Sequence, residues 1–336
     1  MSRSPSLSQE QLQSPTLAMK IAIWVAWSLG AILFFSVGWV ACAPTDPLGV
    51  VSLLYHASPA AMIVQSLGLS LIVAVAATII AGRYLVDVGL FSACLGLVIV
   101  TLRGNTGDVM LFDAANQLTL DGLGLRLAGE CFAWCIVVMA TMLLTPMIVQ
   151  WSMGKEAIRV TRDIGGHSEE FWMAGAGLPA AFGKWTGLAG PSIDEGMRAK
   201  LHAGTVIAVG LVVEAILLKG FASRATEHSQ SLFVVAGGVG VGAYVAHKMF
   251  PVVTPLWTIS GAMKLALLRY LIAWIAPGSL ESPILLNSNP MLRVLPLHTV
   301  AGGVGAAVFM FWQMTAVPGQ QIVSDTPEDQ NGSKGA

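Results

Sequence analysis

Charge is what this sequence has least of. Only 11% of its 336 residues are Asp, Glu, Lys or Arg and 55% are hydrophobic, whereas a soluble domain carries about 25% charged residues. With a mean hydropathy of +0.71, the chain cannot cover a globule of its size with a polar surface. That excludes a soluble enzyme, and it equally excludes intrinsic disorder, which needs low hydrophobicity and high charge. Net basicity is missing too: 18 basic and 19 acidic residues leave −1, so nothing points to nucleic acid. Cysteine is scarce, and Cys42, Cys94, Cys131 and Cys135 all fall inside apolar runs. Disulfide frameworks sit in polar, loop-rich segments, so none is expected. Cys131 and Cys135 would share a helix face, but no second Cys/His pair with ligand spacing follows them. They read as small packing residues, and no metal is expected.

What is abundant is long apolar runs. A helix needs about 20 mostly apolar residues to cross a bilayer. Candidate spans lie at 21–43, 61–81, 84–102, 125–149, 201–219, 231–249, 255–276 and 297–316. The fold class is therefore all-α, a polytopic transmembrane helix bundle of about eight spans. Seven is the alternative, should the segment bearing Lys264 and Arg269 lie on the membrane instead of crossing it. Residues 1–19 and 317–336 read as disordered tails, 20–149 and 201–316 as two sets of four spans, and 150–200 as the one long loop. The first run ends in Ala41-Cys42-Ala43-Pro44, which faintly resembles a signal-peptidase site. At about 22 residues it exceeds the 7–15 of a signal-peptide apolar region, and it reads as an uncleaved first span.

Basic residues orient the bundle. With the amino terminus inside, the cytoplasmic segments hold Arg3 and Lys20, Arg83, six in the long loop (Lys155, Arg159, Arg162, Lys184, Arg198, Lys200), Lys248 and Lys334. The loop at 44–60, on the opposite side, has neither Lys nor Arg. Both termini are thus expected in the cytoplasm, in a plasma or inner membrane. Near the end of the long loop, Ser192 followed by Glu195 forms a capping box, so the fifth helix should start near Ile193. Phe171, Trp172, Phe182 and Trp185 among basic residues suggest a segment lying at the membrane interface, or a loop packed on the helix ends.

Val235-Ala236-Gly237-Gly238-Val239-Gly240 recurs as Val300-Ala301-Gly302-Gly303-Val304-Gly305. Small residues at such spacing let helix backbones approach closely. They suit packing between spans, or contact with a membrane-protein partner or a second copy.

Ionisable residues inside spans cost roughly 2.5–3.5 kcal/mol on insertion scales and normally face protein or water. Asp87, one turn after Arg83, is expected to form an i,i+4 pair at the membrane edge. Glu130, Glu214, Lys264 and Arg269 lie deeper. At 1.5 Å per residue, Glu214 lies ~18 Å from the inner boundary, Lys264 ~13 Å, Arg269 ~21 Å and Glu130 ~20 Å, within a core of ~30 Å. Arg126 sits one turn above Glu130. Matched depths predict interhelical ion pairs, above all Glu214 with Lys264 or Arg269, serving either architecture or a polar pathway. His202 and His247, near the inner ends of two adjacent spans, could hold a haem as axial ligands. Histidines that merely face headgroups are the plainer reading, and no cofactor is assigned.

No zinc-protease, nucleophile-elbow or nucleotide-loop motif occurs, and the sequence leans away from an enzyme. Three functions remain: a small transporter or permease using the buried charges, a membrane scaffold or complex subunit, and, behind these, a haem-bearing electron carrier. An aqueous cavity reaching the charges would favour the first. A sealed, fully paired cluster would favour the second.

Overall fold

The computed structural model describes residues 17–46, 49–82, 87–110, 120–153, 193–221, 227–252, 255–276 and 290–315. Among them the chain is helical, with no named strand. The helices are α1 (Leu17–Cys42), α2 (Pro59–Ala81), α3 (Val88–Thr101), α4 (Leu120–Met153), α5 (Ile193–Phe221), α6 (His228–Met249) and α7 (Leu256–Ile275). The last, α8, opens as a π-helical turn, His298–Gly302, and continues as Gly303–Thr315. Six of these, all but α3 and α8, are long and apolar enough to cross a membrane, and α3 is a shorter apolar helix. A multi-pass integral membrane protein follows from that composition.

Several helix ends have local causes. Pro59 stands at the start of α2, where its missing N–H costs nothing. Glu227 and Gln230 form a reciprocal capping box on α6. The fifth helix does begin at Ile193, ahead of the apolar run, while Ser192 and the proposed interfacial segment lie outside the described residues. The residue just ahead of α3 is Asp87. It takes a left-handed backbone (φ 58°) just before α3, a conformation short polar side chains tolerate. Arg83, the partner expected for it, lies outside the described residues.

Three connections gather at one end of the bundle. The segment after α1 meets the segment after α3 through a bridge between Val50 and Asn105, with Asn105 N–H on Gly49 O at 3.1 Å. Gly107 then packs against the Arg293 backbone, in the turn leading to α8. At the opposite end, His202 at the start of α5 meets Phe250 and Thr258 at the α6–α7 junction.

Packing divides the helices into two groups. Helices α1, α2 and α3 pack together, α5 to α8 pack together, α4 touches both α2 and α7, and α3 also reaches α8. Helices α5 and α6 cross closely. A Cβ on Gly242 would stand 2.7 Å from Val206 O, and one on Gly238 would collide with the Glu214 side chain. The second copy of the repeated hexapeptide is looser, since a Cβ on Gly303 would meet nothing closer than Val239 at 3.5 Å. One motif thus serves two different packings.

Candidate functional site

Helix α5 carries Glu214 into the interior and α7 carries Arg269 to meet it. Arg269 Nη2 and Glu214 Oε2 form an ion pair, with both side chains buried. Glycine at 238 makes room for Glu214 against α6. The guanidinium also donates from Nη1 to Thr299 Oγ1 at 3.1 Å. Thr299 stands in the π-helical first turn of α8, where the widened hydrogen-bond spacing disturbs the regular ladder. Its hydroxyl donates to Leu295 O at 3.1 Å, and Tyr270 Oη donates to Val294 O at 2.5 Å. Tyr270 Oη and Thr299 Oγ1 are themselves 3.0 Å apart. Two hydroxyl protons thus serve three oxygen contacts, so each can be exchanged for another without moving an atom far.

The pair is incompletely bonded. Glu214 Oε1 and Arg269 Nε are buried with no hydrogen-bond partner among the described residues. Cys131 on α4 and Tyr270 lie within electrostatic range of both Arg269 and Glu130. The centre therefore draws on α4, α5, α7 and α8.

Glu130 is satisfied differently from the sequence expectation. Its carboxylate accepts from Ser52 Oγ at 2.5 Å and from Trp134 Nε1 at 3.2 Å, with the backbone N–H groups of Leu53 and Leu54 adding to the local field. No base pairs with it among the described residues. A one-turn 3-10 helix, Leu53–Tyr55, brings these donors down onto α4 from the α1–α2 connection. Neutral donors take the place of a cation.

Arg126 and Lys264, placed by depth in the same cluster, are exposed on the outer faces of α4 and α7. Side chains on a helix slope toward its amino-terminal end. Both bases stand within the first half of their helices, roughly 9 and 12 Å from the start at 1.5 Å per residue, so long stems can carry the charges back toward the headgroups. Depth matched four residues; helix rotation buried only two of them as a pair.

His202 and His247 do sit together, ring centroids 6.3 Å apart and nearly perpendicular. His202 donates from Nδ1 to Phe250 O at 2.8 Å, and its Nε2 accepts from Thr258 Oγ1 at 2.9 Å. Both nitrogens are thus hydrogen-bonded within the protein. Its work here is to tie α5 to the α6–α7 junction. The four cysteines are buried and free. Among the described residues no group of three or more His, Cys, Asp and Glu side chains converges as a metal site would require.

Sequence reasoning missed Tyr270, Thr299, Ser52, Trp134 and a second buried arginine. That residue, Arg293, is 2% exposed and lies 3.8 Å from Asp108. Tyr270 had a signal, as the neighbour of a buried arginine and one of four tyrosines in the chain. Thr299 had none, because a π-helical turn leaves no mark in composition. No protein-family model, curated protein or solved structure matches this chain.

Proposed function

We propose that the chain is an eight-span, permease-like membrane protein whose working centre is the Glu214–Arg269 pair at the Thr299 turn. The incomplete bonding of that pair carries the reading. A buried ion pair stabilises only when its remaining lone pairs and protons are also satisfied. Here Glu214 Oε1 and Arg269 Nε are left over, beside hydroxyls whose protons can be redistributed. Such a centre suits a third, exchangeable polar partner better than a permanent brace. The buried geometry then corresponds to an occluded conformation. Eight crossings are supported by the clustering of the α1–α2, post-α3 and pre-α8 segments at one end, with the α6–α7 junction at the other. Both termini are cytoplasmic on this reading, following the basic residues. The bilayer is the first partner, and outward glycines with open space such as Gly129 and Gly204 leave room for a second copy.

One observation favours the scaffold reading instead: both charges are sealed from solvent. Thiol labelling separates the two. In proteoliposomes, Thr299→Cys should be modified by a charged, membrane-impermeant thiol reagent, against the background of the buried native cysteines. Complete protection in liposomes and in detergent, from pH 5 to 8, would reject the permease and leave the scaffold.

A further inference from the structure

A cavity of about 430 Å³ lies between α3, α6 and α8, lined almost wholly by apolar groups including Phe91, Val98, Leu232, Ala236, Gly302 and Phe309. Small residues hollow it out, and Ala236 on its wall is exposed, so it opens on the side of the bundle. At on the order of 30 Å³ for a group the size of a water molecule, it accommodates roughly a dozen carbon atoms.

Above the cavity, each of its three helices presents a polar group on the same face. On α6, His228 stands four and eight residues before Leu232 and Ala236. On α8, His298 stands four before Gly302. On α3, Thr101 stands three after Val98. These spacings stack residues on one side of a helix, and the three groups do meet. The His228 and His298 rings are 5.2 Å apart and almost perpendicular. His298 Nε2 is hydrogen-bonded to Thr101 Oγ1, and His228 Nε2 lies 3.0 Å from Gly104 O.

The protons can be assigned. Thr101 spends its one hydroxyl proton on Val98 O at 2.6 Å, so toward His298 it can only accept, and Nε2 must donate. A carbonyl oxygen can only accept, so His228 also donates from Nε2. A neutral imidazole carries one proton, which leaves both Nδ1 atoms as bare acceptors. Both are buried without a hydrogen-bond partner among the described residues, and His298 is 1% exposed. Two unsatisfied acceptors are thus buried about one helical turn beyond the residues that line the apolar cavity.

We propose that this is a binding site for a single-tailed amphiphile with a hydrogen-bond-donating head, of the long-chain alcohol class, taken up sideways from the bilayer. The tail fills the cavity, and the head hydroxyl donates to Nδ1 of His298 or His228. The site is separate from the Glu214–Arg269 centre and does not depend on its role.

The test is equilibrium binding of radiolabelled dodecan-1-ol to the full-length protein in digitonin, which has no alkyl tail to compete. Dodecyl methyl ether is the comparator, with the same tail and no proton to give. Saturable binding of the alcohol near one per chain is expected, with the ether at least tenfold weaker. His298→Phe should bring the alcohol down to the ether's level, and Ala236→Leu should weaken both. Absence of saturable binding, or equal binding of alcohol and ether to the unmodified protein, overturns the proposal without relying on any variant. Unchanged binding in both variants overturns it as well.

Discussion

At the residue scale, the Glu214–Arg269 pair shows how a cost becomes a constraint. Removing one partner strands a charge in the interior, which typically destabilises by about 3–5 kcal/mol, whereas removing both is often close to neutral. Glu214→Gln and Arg269→Met should therefore each lower the folded yield in detergent sharply, and the double change should restore much of it. Additive losses would show that the two side chains are not coupled. Lys264→Met, on the outer face of α7, should change yield little in the same assay. Arg269→Lys should not substitute, because a point charge cannot reach Glu214 and Thr299 together as the planar fork does. Glu130 offers the contrasting case of a carboxylate held by neutral donors. Glu130→Ala leaves those donors without their acceptor and should release the α1–α2 connection. Protease added to the face that carries this connection should then cut within 49–58 much faster than in the unmodified protein. Unchanged cleavage would mean that the connection is held by other contacts.

Among the helices, the repeated hexapeptide gives a controlled comparison. Gly238 and Gly303 occupy equivalent places in it, and alanine at either should gain roughly 1 kcal/mol of helix propensity over glycine. At 238 the added methyl would collide with Glu214, and overpacking of that kind costs about 1–3 kcal/mol. At 303 its nearest contact would be an ordinary 3.5 Å. Gly238→Ala should lower the thermal midpoint of the purified protein, and Gly303→Ala should hold or raise it. Equal responses would refute the packing difference. The two π-helical turns act similarly at the level of elements. In α1 the turn Phe34–Gly38 presents Phe35 O to Arg103 Nη1 at 2.7 Å, with the guanidinium over the Phe35 and Trp39 rings. In α8 the turn presents Thr299 to Arg269. Each departure from the regular ladder hands a polar group to an arginine from another part of the chain.

For the whole molecule, the proposed eight crossings predict residue 112 and the carboxyl terminus on opposite faces. Reporter fusions at the two positions should give opposite signals, and like signals would remove one crossing from the bundle. The basic residues and the helix lengths bear on this test independently. The first set the sign of the charge asymmetry across the membrane, and the second set how many segments can reach across.

Much of the architecture is legible from the chain alone. Hydropathy and length mark where the helices run, because a lipid environment requires each span to satisfy its own backbone with about 20 apolar residues. The start of α5 near Ile193 and the common depth of Glu214 and Arg269 are both legible in the sequence, the second from a 1.5 Å rise, while the Ser192 cap itself lies outside the described residues. Three-dimensional packing alone selected among the partners. Rotation about each helix axis buries Arg269 and exposes Lys264, although the two are five residues apart, and rotation depends on which helices are neighbours. The descent of Ser52 onto Glu130, the meeting of Arg293 with Asp108, and the cap of His228 and His298 above an apolar cavity join segments distant in sequence. None of these pairs carries a local periodic signal, because depth is a one-dimensional property of a span and contact is not.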